Sequence, residues 1–340
     1  MAQDAQSRFP QLAKRAATSV GVVVLAAVAL TPVGAPQAGA LTTHYAYEAN
    51  DGSNNVSVIN LSTNVVVKTV AVGTAPDWVA ITPNGSYAYV TNYTSDNVSV
   101  IKTSTNTVVK TVRVGTNPFG VAITPNGSYA YVTNQNSDNV SVIKTSTNTV
   151  VKTVRVGSNP WGVAITPNGS YAYVTNSNSR SVSVIKTSTN TVVKSVSVGD
   201  LPYGIAITPN GSYAYVVNDG GGVSVIKTSA NTVVKTVVGI GNSPYGIAIT
   251  PNGSTAYVAN NGDNSVSVIN TSTNTVVTTV TLHVGGGPYG VATNPNGSDV
   301  YVTDFGPGTG DNRVSIIRTS TNTVATFVGV GIGPSGIAIH

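Results

Sequence analysis

The heptapeptide SYAYVTN stands at Ser86 to Asn92 and recurs unchanged at Ser128 to Asn134 and Ser170 to Asn176, a step of 42 residues. Looser copies continue the series: Tyr47, Tyr89, Tyr131, Tyr173, Tyr215, Tyr257 and Tyr301 follow one another at 42 residues five times and then at 44. A repeat of this length excludes an ordinary layered domain. Each unit is one supersecondary element that buries its faces only against its neighbours, so the chain must stack or close.

Inside one unit, Gly120 to Thr124, Tyr129 to Asn134, Asn139 to Lys144 and Val150 to Val156 carry the alternation and β-branched content of short strands. Pro125-Asn126-Gly127 supplies a preset φ followed by a hairpin dipeptide, and Ser146 to Asn148 turns the third connection. Hairpins make neighbouring strands antiparallel. That argues against the parallel rungs of a β-helix and predicts propeller blades. In YAYV both tyrosines point to one face while alanine and valine point to the other, so large residues meet small ones between successive sheets. A one-residue slip would exchange the two faces, which sets the register. The expected fold is all-β: a seven-bladed β-propeller of four-stranded antiparallel blades. The chain enters on a second strand, Tyr45 to Asn50, and leaves on a first strand, Gly336 to His340. The C-terminal strand is therefore expected to complete the N-terminal blade, which leaves no long open edge.

YVTN at Tyr89 to Asn92, Tyr131 to Asn134 and Tyr173 to Asn176, each followed by VSVI and by a P-x-G-[VI]-A-I-T-P-N-G segment, resembles the YVTN β-propeller repeat family over residues 45 to 340. Similar repeats occur in archaeal surface-layer proteins and exported bacterial propellers, so the resemblance implies a cell-surface or extracytoplasmic role. It implies no single activity, because one fold hosts many functions.

The first forty residues differ in kind. Arg8, Lys14 and Arg15 precede the apolar run Ala16 to Leu30, and the segment ends in Ala38-Gly39-Ala40. This order reads as a secretory signal peptide over residues 1–40, with a mature propeller over 41–340. The run is short for a membrane span. With no cysteine, the exported chain must be stabilised by packing rather than disulfides.

Propeller enzymes gather acids, histidines or a metal on the innermost strands. Here these strands read GVAIT or GIAIT, and the exceptions are Asp77 and His340. His44 and His283 have no partners at metal spacing, so no metal, cofactor or catalytic residue is expected. Residues 87 to 128 and 129 to 170 differ only at Tyr93/Gln135, Thr94/Asn136, Thr116/Ser158 and Phe119/Trp161, all in connections on one face of the disc. On that face the proline opening each innermost strand is followed by Asp77, Phe119, Trp161, Tyr203, Tyr245, Tyr289 and Ser335. The first six are the candidate ligand-binding ring at the channel mouth. The acids Asp51, Asp96, Asp138, Asp200, Asp219, Asp263, Asp304 and Asp311 share this face, whereas lysines sit at the other face or the outer edge. Of those, Lys102, Lys144, Lys186 and Lys227 are the candidate polyanion contacts. Without the leader, 14 basic and 11 acidic residues leave a net charge of only +3.

These features point to a secreted or cell-surface, non-catalytic module that binds a surface protein or glycan. The alternatives are a lactonase-like or quinoprotein-like enzyme with its site in the channel, and a binder of nucleic acid or another anionic polymer. The leader reading predicts that secreted protein begins at Leu41. N-terminal sequencing that returned Met1 would contradict it.

Overall fold

The computed structural model describes residues 44–282, 287–306 and 312–340; the leader expected over 1–40, His283 and Asp311 lie outside the described residues. Twenty-eight strands, β1 to β28 in chain order, form seven four-stranded sheets. In the first complete blade, β4 (Pro76–Ile81), β5 (Tyr87–Asn92), β6 (Asn97–Lys102) and β7 (Thr107–Arg113) lie side by side from inside to outside, every pair antiparallel. Five more blades repeat this order. The seventh, or closing, blade joins the chain ends: β28 (Pro334–Ile339) pairs with β1 (Tyr45–Asn50), which continues into β2 (Asn55–Asn60) and β3 (Val65–Ala71). Ala46 faces Ile339, Tyr47 faces Ala338, and Tyr45 and His340 exchange backbone hydrogen bonds of 3.0 and 3.1 Å.

The core is a series of inter-blade layers. Tyr89, Val98 and Val100 of the first blade pack on Ala130, Val132 and Ile143 of the second, and the same large-on-small pattern recurs around the ring. The second tyrosine of each blade is almost wholly buried. Its hydroxyl is satisfied across the interface: Tyr47 donates to Asn106 Oδ1 at 2.6 Å, Tyr89 to Asn148 at 2.6 Å and Tyr131 to Asn190 at 2.6 Å. Tyr173 donates to Asn231, Tyr215 to Asn274, Tyr257 to Asn322, and Tyr301 closes the circle on Asn64 at 3.2 Å. Every accepting asparagine sits in the hairpin before the next blade's outermost strand with φ between 51° and 55°, a left-handed conformation that asparagine tolerates better than most residues. Burial pushes the phenols of Tyr47, Tyr89, Tyr131, Tyr173, Tyr215 and Tyr301 up to about 12, so they remain donors at neutral pH.

The outermost strands expose valines yet remain poor templates for pairing. A register shift in the second blade leaves Val151 without a partner opposite, and Lys152 follows it. Bulges and edge lysines both discourage strand addition.

One buried group breaks the pattern. Glu48 of β1 occupies the position held by Val90, Val132, Val174, Val216, Val258 and Val302 in the other blades. It is fully buried, and neither carboxyl oxygen has a hydrogen-bond partner. Asn50 Nδ2 and Ser57 Oγ, on the same face, bond to each other at 2.9 Å. Burial holds the Glu48 carboxyl well above the usual carboxylate range, and Ser57 and Asn50 counter this only in part.

Two outcomes follow. Deleting Pro334 to His340 removes the innermost strand of the closing blade, and calorimetry should show loss of cooperative melting or aggregation; an unchanged melting temperature would contradict the closure. Glu48→Val should stabilise the protein by about 2 kcal/mol or more at neutral pH, the scale of relieving an unsatisfied buried polar group. The folded-state pKa of Glu48 lies above its unfolded value, so the folded protein holds the extra proton. The gain from valine should therefore grow as pH rises through the window between the two values and level off above it. A gain independent of pH, read from urea melts, would show that Glu48 is already ionised in the fold.

Candidate functional site

Each innermost strand starts at the mouth of the central channel with proline, the ring residue and then glycine in six of the seven blades. The glycine is required by contact. A Cβ at Gly120 would lie 2.5 Å from the Trp161 carbonyl oxygen, and one at Gly204 would lie 2.3 Å from that of Tyr245. The threonine of YVTN then pins the ring residue from behind. Thr133 Oγ1 accepts from the Gly120 amide at 2.8 Å and donates to the Trp161 carbonyl of the next blade at 2.6 Å. Thr91, Thr175 and Thr303 hold Phe119, Tyr203 and Ser335 in the same way, at 2.6, 2.7 and 2.6 Å. Val217 and Ala259 stand in place of this threonine before Tyr245 and Tyr289. The final asparagine of the motif turns inward: Asn92 Nδ2 donates to Asn97 and Ser99, and its Oδ1 accepts from the Gly73 amide.

With their backbones held, the ring side chains converge. Phe119 and Trp161 have centroids 3.8 Å apart, Trp161 and Tyr203 4.5 Å, Tyr203 and Tyr245 4.9 Å, and Tyr245 and Tyr289 5.0 Å. Trp161 also comes within 5.7 Å of Tyr245 and 6.1 Å of Tyr289, so it reaches toward the axis and closes the mouth. Beneath it lies an apolar cavity of about 40 Å³ bounded by Val163, Ile205 and Ile247. Phe119 is buried; Trp161, Tyr203, Tyr245 and Tyr289 are half-buried and form the outward surface of the stack.

Two further rings extend this cluster and are invisible to the proline-x-glycine pattern. Trp78 replaces the glycine of the first blade and lies 6.2 Å from Phe119; Gly336 makes room, since a Cβ there would come 2.7 Å from the Trp78 Cα. Phe305, from a connection in the sixth blade, lies 5.5 Å from Tyr289. The only sequence signal for Trp78 is the missing glycine, and Phe305 gives none.

The ring is interrupted at the closing blade. Ser335 is buried, and its hydroxyl is placed 3.2, 3.1 and 2.8 Å from the Ala49, Pro76 and Asp77 carbonyl oxygens, so it ties the chain ends rather than facing the mouth. Burial holds the neighbouring Asp77 carboxyl well above the ordinary carboxylate range, and the Asp51 charge adds to the effect. Burial, then Asp77, also raises the Tyr289 phenol. Burial together with Asp219 raises Tyr245. The mouth is thus an aromatic surface bordered by acids, suited to stacking against a flat apolar face while accepting hydrogen bonds at its margin.

The other acids mostly serve the turns. Asp96 and Asp138 each accept from a backbone amide of the following blade at 2.9 Å. In the sixth blade Asp304 and Arg313 replace the asparagine pair by a buried ion pair of 3.1 Å. Basic residues occur at this face as well: Arg113 and Arg155 end their outer strands here, and Arg180 pairs with Asp200 at 3.0 Å. Lys102, Lys144, Lys186 and Lys227 lie on the opposite face, one per blade, exposed and opposite Tyr87, Tyr129, Tyr171 and Tyr213 in the ladder. Among the described residues no three metal-ligating side chains converge.

Hydrazine synthase from Kuenenia stuttgartiensis has a similar structure, with a TM-score of 0.71 and 26% identity over 77% of this chain and 88% of that one. A functionally unknown protein from Desulfotomaculum acetoxidans superposes with a TM-score of 0.76 at 21% identity, covering 87% of this chain and 98% of the other. The dihydro-heme d1 dehydrogenase NirN, in complex with DHE, does so at 0.65 and 14% identity, covering 86% and 74%. No curated protein matches the sequence significantly. A family model described as YNCE-like beta-propeller spans residues 12–339, and the closed ring of YVTN blades agrees with it: the chain belongs to the YNCE-like beta-propeller family.

Proposed function

We propose that this protein is an exported, non-catalytic binding module whose aromatic mouth takes hold of an exposed protein segment or glycan at the cell surface. The observation that carries this reading is the convergence of Phe119, Trp161, Tyr203, Tyr245 and Tyr289, from five successive blades, into one stack whose last four rings are half-exposed. Partly exposed tryptophan and tyrosine on a rigid frame are favoured binding anchors, because large contact area is gained at little cost in side-chain freedom. The position also tolerates Phe, Trp and Tyr while the glycine contacts recur at all five and threonine holds the backbone at Phe119, Trp161 and Tyr203. The leader at residues 1–40 and the likeness to exported YVTN propellers support placement outside the cytoplasm.

Enzymatic function is a second reading. Its support is the half-buried Asp77 carboxyl, raised well above the usual carboxylate range by desolvation and the Asp51 charge and itself raising the Tyr289 phenol, together with the fact that hydrazine synthase and the dehydrogenase NirN share the architecture.

Trp161→Ala combined with Tyr203→Ala should weaken retention on the envelope fraction of the source cells by more than about 2 kcal/mol while circular dichroism and melting stay unchanged. Unaltered retention by the folded double variant would contradict a binding role for the mouth. Loss of a measured turnover in Asp77→Asn, with retention intact, would favour the enzyme reading instead.

A further inference from the structure

The face opposite the mouth carries its own repeated feature. Grooves open between the closing and first blades, the first and second, the third and fourth, and the fifth and sixth, with volumes of about 410, 250, 540 and 210 Å³. Their walls are built alike. One wall brings a tyrosine, with the Asn of the proline-asparagine-glycine turn in two grooves and His340 in the closing one; the other brings the next blade's glycine turn and a Thr-Ser pair. Tyr45, Tyr87 and Tyr171 present half-exposed rings, one to each of three grooves, and Thr255 takes that place in the fourth. Ser104, Ser146, Ser229 and Ser320 are exposed on the opposing walls.

In four blades an exposed lysine stands directly opposite the tyrosine of this position: Lys102 opposite Tyr87, Lys144 opposite Tyr129, Lys186 opposite Tyr171 and Lys227 opposite Tyr213. Among the described residues no aspartate or glutamate side chain lines any of the four grooves. In the sixth blade Arg318 stands at the lysine position, opposite Asp299 and 3.9 Å from its carboxylate. Three of the grooves therefore offer an aromatic face with several amides and hydroxyls, and those bordered by Tyr87 and Tyr171 add the positive charge of Lys102 and Lys186 directly opposite in the ladder.

We propose that this face binds a linear anionic polysaccharide, with sugar rings resting on the tyrosines, sugar hydroxyls meeting the Asn and Ser side chains, and carboxylate substituents meeting the lysines. The walls favour a sugar over a folded protein, since single tyrosines stand among amides and hydroxyls rather than in a broad apolar patch. They favour it over nucleic acid because one cation per blade is a sparse match to a phosphate on every nucleotide, whereas amides and hydroxyls are abundant. Repetition supplies avidity, as one chain can occupy successive grooves. This site is separate from the aromatic mouth.

Sister blades supply substitutions that the fold already accepts. Asn60 and Asn270 stand where the lysines stand, and Thr255 stands where the tyrosines stand. The test is calorimetric titration with oligogalacturonate, neutral dextran and polyphosphate. Changing Lys102, Lys144, Lys186 and Lys227 together to Asn should lower oligogalacturonate affinity by about tenfold or more and flatten its salt dependence. Changing Tyr87, Tyr129, Tyr171 and Tyr213 together to Thr should lower it by about tenfold as well, whereas Trp161→Ala with Tyr203→Ala should leave it unchanged. If polyphosphate binds as tightly and the tyrosine set is silent, the face is only an electrostatic surface and the proposal fails. It fails equally if dextran binds as well as oligogalacturonate, if neither set of substitutions matters, or if only the mouth variant loses binding.

Discussion

A four-stranded blade has two apolar faces and no means of covering either alone, so the entire fold depends on the contact between one blade and the next. That contact is one arrangement used seven times: a buried tyrosine wedged against alanine and valine, its hydroxyl reaching an asparagine held in a left-handed turn. The bond removes the cost of burying a phenol and at the same time fixes the position of the neighbouring blade's outer hairpin. Because Tyr301 reaches Asn64 as Tyr89 reaches Asn148, the ends of the chain are joined by the same interaction that joins its middle. The YVTN motif is legible atom by atom on this basis: tyrosine binds across the interface, valine fills the core, threonine fastens the next innermost strand, and asparagine secures its own turn.

The ring then determines where function can reside. Innermost strands approach so closely at the mouth that glycine follows the ring position in six of the seven blades, and this crowding brings side chains from five blades into one stack. At the opposite end the same blades diverge and leave grooves between them. Sequence variation concentrates where backbone bonds already hold the chain, so an aromatic can change identity without disturbing the frame. The closing blade is the exception on both counts. It lacks an aromatic at the mouth, and it carries Glu48 where every other blade buries valine.

Much of this could be read from the chain alone. Period, alternation and Asn-Gly turns prescribe the strands, and the residues at each end prescribe closure, because these are local or counting properties. The partners of the tyrosine hydroxyls were hidden, since they lie 59 residues away in the adjoining unit for Tyr89 and Tyr131. Ser335 holds the ring position in sequence but turns into the seam, a choice made by carbonyl oxygens from three other residues. Trp78 and Phe305 reach the stack from positions that no periodic pattern marks. Glu48 was visible as a break in a column of valines, yet its meaning depends on full burial, which only packing reveals.

The central claim is that one inter-blade interaction holds the whole ring as a single cooperative unit. Tyr131→Phe alters an interface in mid-chain and Tyr301→Phe alters the one that closes the circle, and urea unfolding with hydrogen exchange read blade by blade compares them directly. Each should lower the unfolding free energy by about 1 kcal/mol within one transition, with protection reduced evenly in all blades. Two separate transitions, or loss of protection confined to the altered interface, would contradict it.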